Sequence, residues 1–217
     1  MYCALIGDWI ESREMLPDER KKIQEKLAEA LKEINALWSA DIAAKFILTL
    51  GDEFQGLLTA CGPTLAIAEH LIRSVQPHSI RFGIGLGDMY TVINPEMALG
   101  ADGPAFHLAR KGMEALKANP MSTRDFLIRY RTGNADEVLM DVVCDDVSLL
   151  MGDWTEKQRE IVLAYRNSCS KQKDLASRMA VNASTINRHL KDAKFSHYNN
   201  SLERLTDYLV LQYDTKK

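Results

Sequence analysis

Lys45-Phe46-Ile47-Leu48-Thr49-Leu50-Gly51-Asp52-Glu53-Phe54-Gln55-Gly56-Leu57-Leu58 carries the clearest structural signal in the chain. Two apolar runs, Lys45 to Leu50 and Phe54 to Leu58, flank a three-residue break containing glycine, the pattern of two strands joined by a short hairpin. Upstream, Tyr2 to Gly7 is a short apolar run that stops at Asp8, which suits a buried strand. Between it and the hairpin, Ile23, Leu27, Leu31, Ile34 and Leu37 repeat at helical spacing after Pro17, so an amphipathic helix runs from Pro17 to Trp38. Downstream, Pro63 to Val75 reads as a second helix. Ile80 to Leu86 reads as a fourth strand, and its glycines at 83 and 85 announce the close approach of a neighbouring element. The order strand, helix, strand, strand, helix, strand is that of a ferredoxin-like unit. With a right-handed crossover, the third strand lies antiparallel between the first two. Asp8 and the hairpin then share one end of the sheet, and Asp8 and Asp52 become spatial neighbours.

Beyond this unit, turn residues around Asn94-Pro95 and Gly103-Pro104 lead to a helix from Ala105 to Ala118, an edge strand from Phe126 to Tyr130, and a helix from Glu137 to Met151. After Gly152-Asp153 only short helical patterns follow. The expected architecture is therefore α+β: a ferredoxin-like (βαββαβ) palm domain over residues 1–151, then a small all-α helix-turn-helix domain over 152–217.

Two carboxylates converging at strand ends suit a hard divalent cation, Mg²⁺ or Mn²⁺, that leaves coordination sites for a triphosphate. Asp8 and Asp52 are the expected ligands, with Glu53 beside them. The segment Trp9, Ile10, Ser12 and Arg13, together with Gly51, would offer backbone N–H groups and a guanidinium to the phosphates. The competing reading is that Asp8 and Asp52 are solvated turn residues, common where strands end.

The stretch Leu50-Gly51-Asp52-Glu53-Phe54 resembles the hairpin of diguanylate cyclase (GGDEF) domains and the Gly-Asp hairpin of class III nucleotidyl cyclases. Ile6-Gly7-Asp8 stands where those families keep their other metal-binding aspartate, and Arg81-Phe82-Gly83-Ile84-Gly85 looks like their fourth strand. A wider set resembles the SatD family of bacterial proteins: Ala4 to Asp8, Ser12-Arg13, Thr49 to Gly56, Asn94-Pro95-Glu96-Met97 and Gly100 to Ala105. That resemblance implies a palm domain with metal ligands at Asp8 and Asp52, and it is compatible with a homodimer, since class III cyclases build their sites at a dimer interface. Arg110 fits the arginine of the transition-state pair of class III cyclases and is the candidate catalytic residue, but Phe106 stands where its polar partner belongs. Leu50 also replaces the first glycine of the diguanylate cyclase hairpin.

Nearer the carboxyl end, Gln172 to Met179 and Ser184 to Ala193 read as two helices joined by Ala180-Val181-Asn182, a helix-turn-helix arrangement with Ala180 where glycine is usual. Leu175, Met179, Val181, Ile186 and Leu190 form the buried side. Ser184, Thr185, Asn187, Arg188 and Lys191 face outward with types that reach base edges and phosphates, and Lys173 adds a phosphate contact. Thr155 to Arg166 and Leu202 to Tyr213 would complete the bundle. The alternative is a three-helix bundle used for dimerisation.

Composition agrees with this division. Over 217 residues the chain is 46% hydrophobic and 26% charged, an ordinary globular balance. Its net charge of −3 would alone argue against nucleic acid. Residues 1–151, however, hold 15 basic and 22 acidic side chains, a net −7, whereas 152–217 hold 12 and 8, a net +4. From Arg166 to Lys194 the count is seven basic to two acidic, the local patch that phosphate contact requires. No apolar run approaches the roughly 18 residues of a membrane span, the amino terminus carries Asp8 and Glu11 where a signal peptide would be apolar, and the four cysteines form no CxxC pair. A cytoplasmic protein with reduced thiols is expected. Its expected partners are a nucleoside triphosphate and double-stranded DNA, and its expected role is bacterial regulation. The enzymatic alternative is a cyclase or nucleotidyltransferase using two metals, and a further one is an interaction module with vestigial sites.

Overall fold

The computed structural model describes residues 1–10, 16–49, 51–118, 126–168 and 171–214. Five strands, β1 (Tyr2–Trp9), β2 (Ile42–Leu48), β3 (Glu53–Leu58), β4 (Ile80–Gly87) and β5 (Leu127–Arg131), form one sheet in the order β2-β3-β1-β4-β5. The first four strands are antiparallel neighbours in ferredoxin-like order, and β5 joins β4 in parallel. The expected edge strand is therefore present.

Helices α1 (Pro17–Leu37) and α2 (Thr64–Ser74) cover one face of the sheet, and α3 (Pro104–Ala118) covers the other. Buried on both sides, central β1 is apolar almost throughout, as such strands must be. Its Cys3, Leu5 and Trp9 pack towards Leu27, Ile34 and Leu71, while Ala4 and Ile6 pack towards Ala105, Phe106, Ala109 and Met113. The glycines of β4 are what let α3 approach. A Cβ on Gly83 would sit 2.1 Å from the Ala109 carbonyl oxygen, and one on Gly85 2.1 Å from that of Ala105. Because backbone and not a flexible side chain meets the new methyl, Gly85→Ala is expected to cost about 1–3 kcal/mol of stability, read from a urea midpoint.

Helices α4 (Glu137–Gly152), α5 (Glu156–Ser168), α6 (Gln172–Arg178), α7 (Ala183–Asp192) and α8 (Phe195–Leu209) follow, and a π-helical turn, Val210–Asp214, ends the described chain. One departure from expectation is that α8 begins at Phe195, not Leu202. Lys194 turns left-handed (φ 54°) and restarts the helix at once, and buried Tyr198 anchors its first turn.

The helical part packs directly on the sheet's helices, and one apolar core runs from Cys3 through to Leu209. Two polar clasps cross this contact. Glu69 of α2, 2% exposed, accepts bonds from Arg166 Nε of α5 at 2.6 and 2.8 Å and from the Tyr198 hydroxyl of α8 at 2.7 Å. Asp214 accepts from the backbone N–H groups of Cys61 and Gly62 at 2.7 and 2.9 Å, just before α2. Cys3, Cys61 and Cys144 are free and buried, and burial pushes the Cys144 thiol up out of the reactive range. Cys169 lies outside the described residues.

Candidate functional site

The expected palm site lies at the Asp8 end of the sheet. Asp8 pairs with Glu53 on β3 and with Arg81 on β4, so Glu53, Asp8 and Arg81 form one row on the face that α3 covers. Asp52 occupies the adjoining turn, half-buried. The hairpin thus brings Asp8, Asp52 and Glu53 to one end of the sheet. Gly51 adopts φ 69°, and its carbonyl accepts a 3.1 Å bond from Gln24 Nε2 of α1, which pins the turn.

What surrounds Asp8 differs from a bare metal ligand. Its carboxylate is 6% exposed at the residue level and is held by Arg81, with Nε 2.5 Å from Oδ1 and Nη2 3.3 Å from Oδ2. Lys117, from the last turn of α3, adds its ammonium 3.1 Å from Oδ2. Both carboxylate oxygens are engaged by cations. A divalent ion does not fit this carboxylate as it stands, since it would meet two positive charges already in place. Among the described residues no group of three or more His, Cys, Asp or Glu side chains is placed to hold a metal.

The other expected palm residues fall as follows. Trp9 turns its ring into the core at 1% exposure, because its place in β1 alternates with Asp8. The Ile10 N–H was expected to face phosphate; it donates instead to the Ser79 carbonyl at 2.9 Å, because the pairing of β1 with β4 carries on past Trp9. Ser12, Arg13 and Leu50 lie outside the described residues. Arg110 is exposed on α3, and Phe106, one turn before it, is buried in the core at 3% exposure. Arg110 and Lys117 are seven positions apart, so they share one side of α3. Sequence reasoning missed Arg81 and Lys117 as partners of Asp8. Arg81 was visible in the strand, but only the register sets it opposite the aspartate.

The second site lies on α7. Its inner face buries Ile186 and Leu190 against neighbouring helices, with Leu175 and Ala176 of α6 and Ile161 and Val162 of α5 in the same core. Its outer face exposes Ser184, Asn187, Arg188 and Lys191, with Thr185 half-buried at the margin, and Lys173 is exposed on α6. Between α6 and α7 the backbone turns at Ala180 with φ 51°, the left-handed conformation for which glycine is the usual residue. The Val181 N–H closes that turn on the Ala176 carbonyl at 3.0 Å, and Asn182 caps α7 by position. The six expected DNA-facing residues therefore lie on α6 and α7, five of them exposed.

A five-stranded α+β sheet of ferredoxin-like order with an appended helical unit defines a palm-type protein with a helical extension. The chain belongs to the SatD family, whose match covers residues 2–208. Solved structures similar to it include the catalytic core of a rhodopsin-guanylyl cyclase with converted specificity in complex with ATPαS. That core is 15% identical, with a TM-score of 0.40 over 52% of this chain and 71% of that one. Another is the regulator of polyketide synthase expression from Bifidobacterium adolescentis, 13% identical, with a TM-score of 0.30 over 95% of this chain and 80% of that one. No curated protein matches the chain in sequence. Among the described residues, no helix is long and apolar enough to cross a membrane.

Proposed function

We propose that the chain is a DNA-binding regulatory protein in which α7 reads the major groove, the α6–α7 pair acting as a helix-turn-helix, and the palm takes up the phosphates of a nucleoside triphosphate. The observation that carries this reading is the two-sided character of α7. Ile186 and Leu190 fix the helix from behind, leaving Ser184, Asn187, Arg188 and Lys191 exposed, with donors and acceptors suited to base edges and phosphates. The basic stretch around it supplies the electrostatic attraction that all duplex binding needs.

The nucleotide half rests on Arg81 and Lys117, which converge on Asp8. A polyphosphate competes for both cations more strongly than a single carboxylate can, because it presents several acceptor oxygens to the guanidinium fork. Asp8 then acts as an internal counter-ion. The Mg²⁺ or Mn²⁺ expectation gives Asp8 the opposite role, so the two readings differ in sign. Calorimetric titration with ATP and GTP is expected to show binding that persists in EDTA and that weakens in Arg81→Ala. Asp8→Asn, which removes the competing carboxylate, is expected to tighten binding. Binding that requires Mg²⁺ and is abolished in a folded Asp8→Asn protein would return Asp8 to the metal.

The enzymatic reading, two-metal synthesis of a cyclic or linear nucleotide, draws on Asp8 and Asp52 lying at one end of the sheet. It is tested by incubating the chain with each triphosphate and Mg²⁺ or Mn²⁺ and analysing the products by mass spectrometry. No product is expected, since Asp8 is engaged and Phe106 occupies the place of Arg110's polar partner.

A further inference from the structure

Helix α4 is apolar on two sides, and among the described residues only one of them is covered. Met140, Cys144, Val147 and Met151 are buried against β5 and α8. Val138, Leu139, Val142 and Leu149 lie on the outer side, 50–70% exposed. The outer side continues into a groove of about 250 Å³ between α4 and α8, where Leu139 and Val143 meet Arg204, Leu205 and Tyr208. Leu211, a turn beyond Tyr208, is 68% exposed. A contiguous apolar surface of this kind marks an interaction site, whereas scattered exposed residues would not.

The charges along α4 indicate what covers it. Leu139, Val142, Asp146, Leu149 and Asp153 recur at helical spacing on the outer side. The amino-terminal half of this stripe is apolar and flanked by the exposed Arg204 of α8, while the carboxyl-terminal half carries the exposed Asp146 and, just past the helix end, Asp153. Two such stripes side by side in parallel would set Asp146 against Asp146. Antiparallel about a two-fold axis midway between Val142 and Asp146, Leu139 of one copy meets Leu149 of the other. Arg204, beside Leu139 and Val143, then reaches Asp146 of the second copy. Val142 of each copy then lies opposite Asp146 of the other, with Arg204 alongside as the opposite charge, so the surface is complementary to itself in charge, as an isologous interface requires.

We infer that the outer side of α4, with the α4–α8 groove, is the interface of a two-fold symmetric homodimer. The inference is independent of what α7 or the palm binds.

Sedimentation equilibrium of the full chain at micromolar concentration is expected to give a dimer. Leu139→Glu with Val142→Glu should give a monomer whose circular dichroism matches the parent, because both side chains are exposed before association. Arg204→Asp alone and Asp146→Arg alone should each weaken association about tenfold, and the two together should restore it. A monomeric parent chain would overturn the proposal and leave the groove to a different partner. So would a dimer indifferent to the Leu139 and Val142 substitutions, or charge reversals that fail to rescue each other.

Discussion

Replacing Glu69 with alanine is expected to cost about 3–5 kcal/mol of folding stability, the range for removing one partner of a buried ion pair. Glu69 is 2% exposed and accepts three hydrogen bonds, two from Arg166 and one from Tyr198. Alanine leaves the partly buried Arg166 guanidinium without its counter-charge, retaining its bond to Asn199, and leaves the Tyr198 hydroxyl buried with no acceptor. The carboxylate and the surrounding burial also set how these groups titrate in the intact protein. Burial disfavours the Arg166 charge, but Glu69, with smaller help from Tyr198 and Glu203, outweighs it and raises the Arg166 pKa overall. Burial, seconded by the Glu69 charge, raises that of Tyr198. Urea unfolding of the Glu69→Ala protein measures the loss. Glu69→Leu combined with Arg166→Met is the informative control, because removing both charges at once is expected to be near neutral or stabilising. An Ala variant within about 1 kcal/mol of the parent would show that water reaches this clasp. Since Glu69 joins α2 to α5 and α8, the same experiment reports how firmly the helical part is held to the palm.

The second large effect concerns α7. If Arg188 contacts a base edge through its guanidinium fork, Arg188→Ala is expected to lose about 1–3 kcal/mol of affinity for a cognate duplex and to relax the preference at one base position. Adding Asn187→Ala should roughly double the loss, since separate base contacts contribute nearly independently. Lys191→Ala should behave differently. A phosphate contact carries no sequence information, so binding should weaken evenly across sequences and the salt slope should fall by about 1. Anisotropy titrations at several salt concentrations separate these outcomes. All three residues are exposed in the free protein, so stability should stay unchanged.

Much of the fold could be read from residue spacing because each palm element carries its own signal. The 3.6-residue rhythm after Pro17 became α1, the Gly51 break became the β2–β3 hairpin, and the glycines at 83 and 85 foretold the contact with α3. The juxtaposition of Asp8 with the hairpin followed from topology alone. What could not be read was anything set by register or by helix placement. Arg81 becomes the neighbour of Asp8 only when β1 and β4 pair in this register, and Lys117 arrives from the last turn of α3, whose placement over the sheet no local spacing announces. The start of α8 was hidden because Ser196, Asn199, Asn200 and Ser201 are indifferent helix formers. Tertiary bonds decide it there, chiefly Tyr198 to Glu69 and Arg166 to Asn199. The outer residues of α7 were legible because a short amphipathic helix between two others has only one face to offer solvent.

Whether α7 reads DNA is settled by selecting duplexes from a random library with the purified full chain. Titration of the recovered sequence by anisotropy then follows. A reproducible motif, salt-dependent binding to it, and its loss in Arg188→Ala at unchanged stability are the predicted results. No enrichment and no measurable duplex binding even at low salt would contradict the claim.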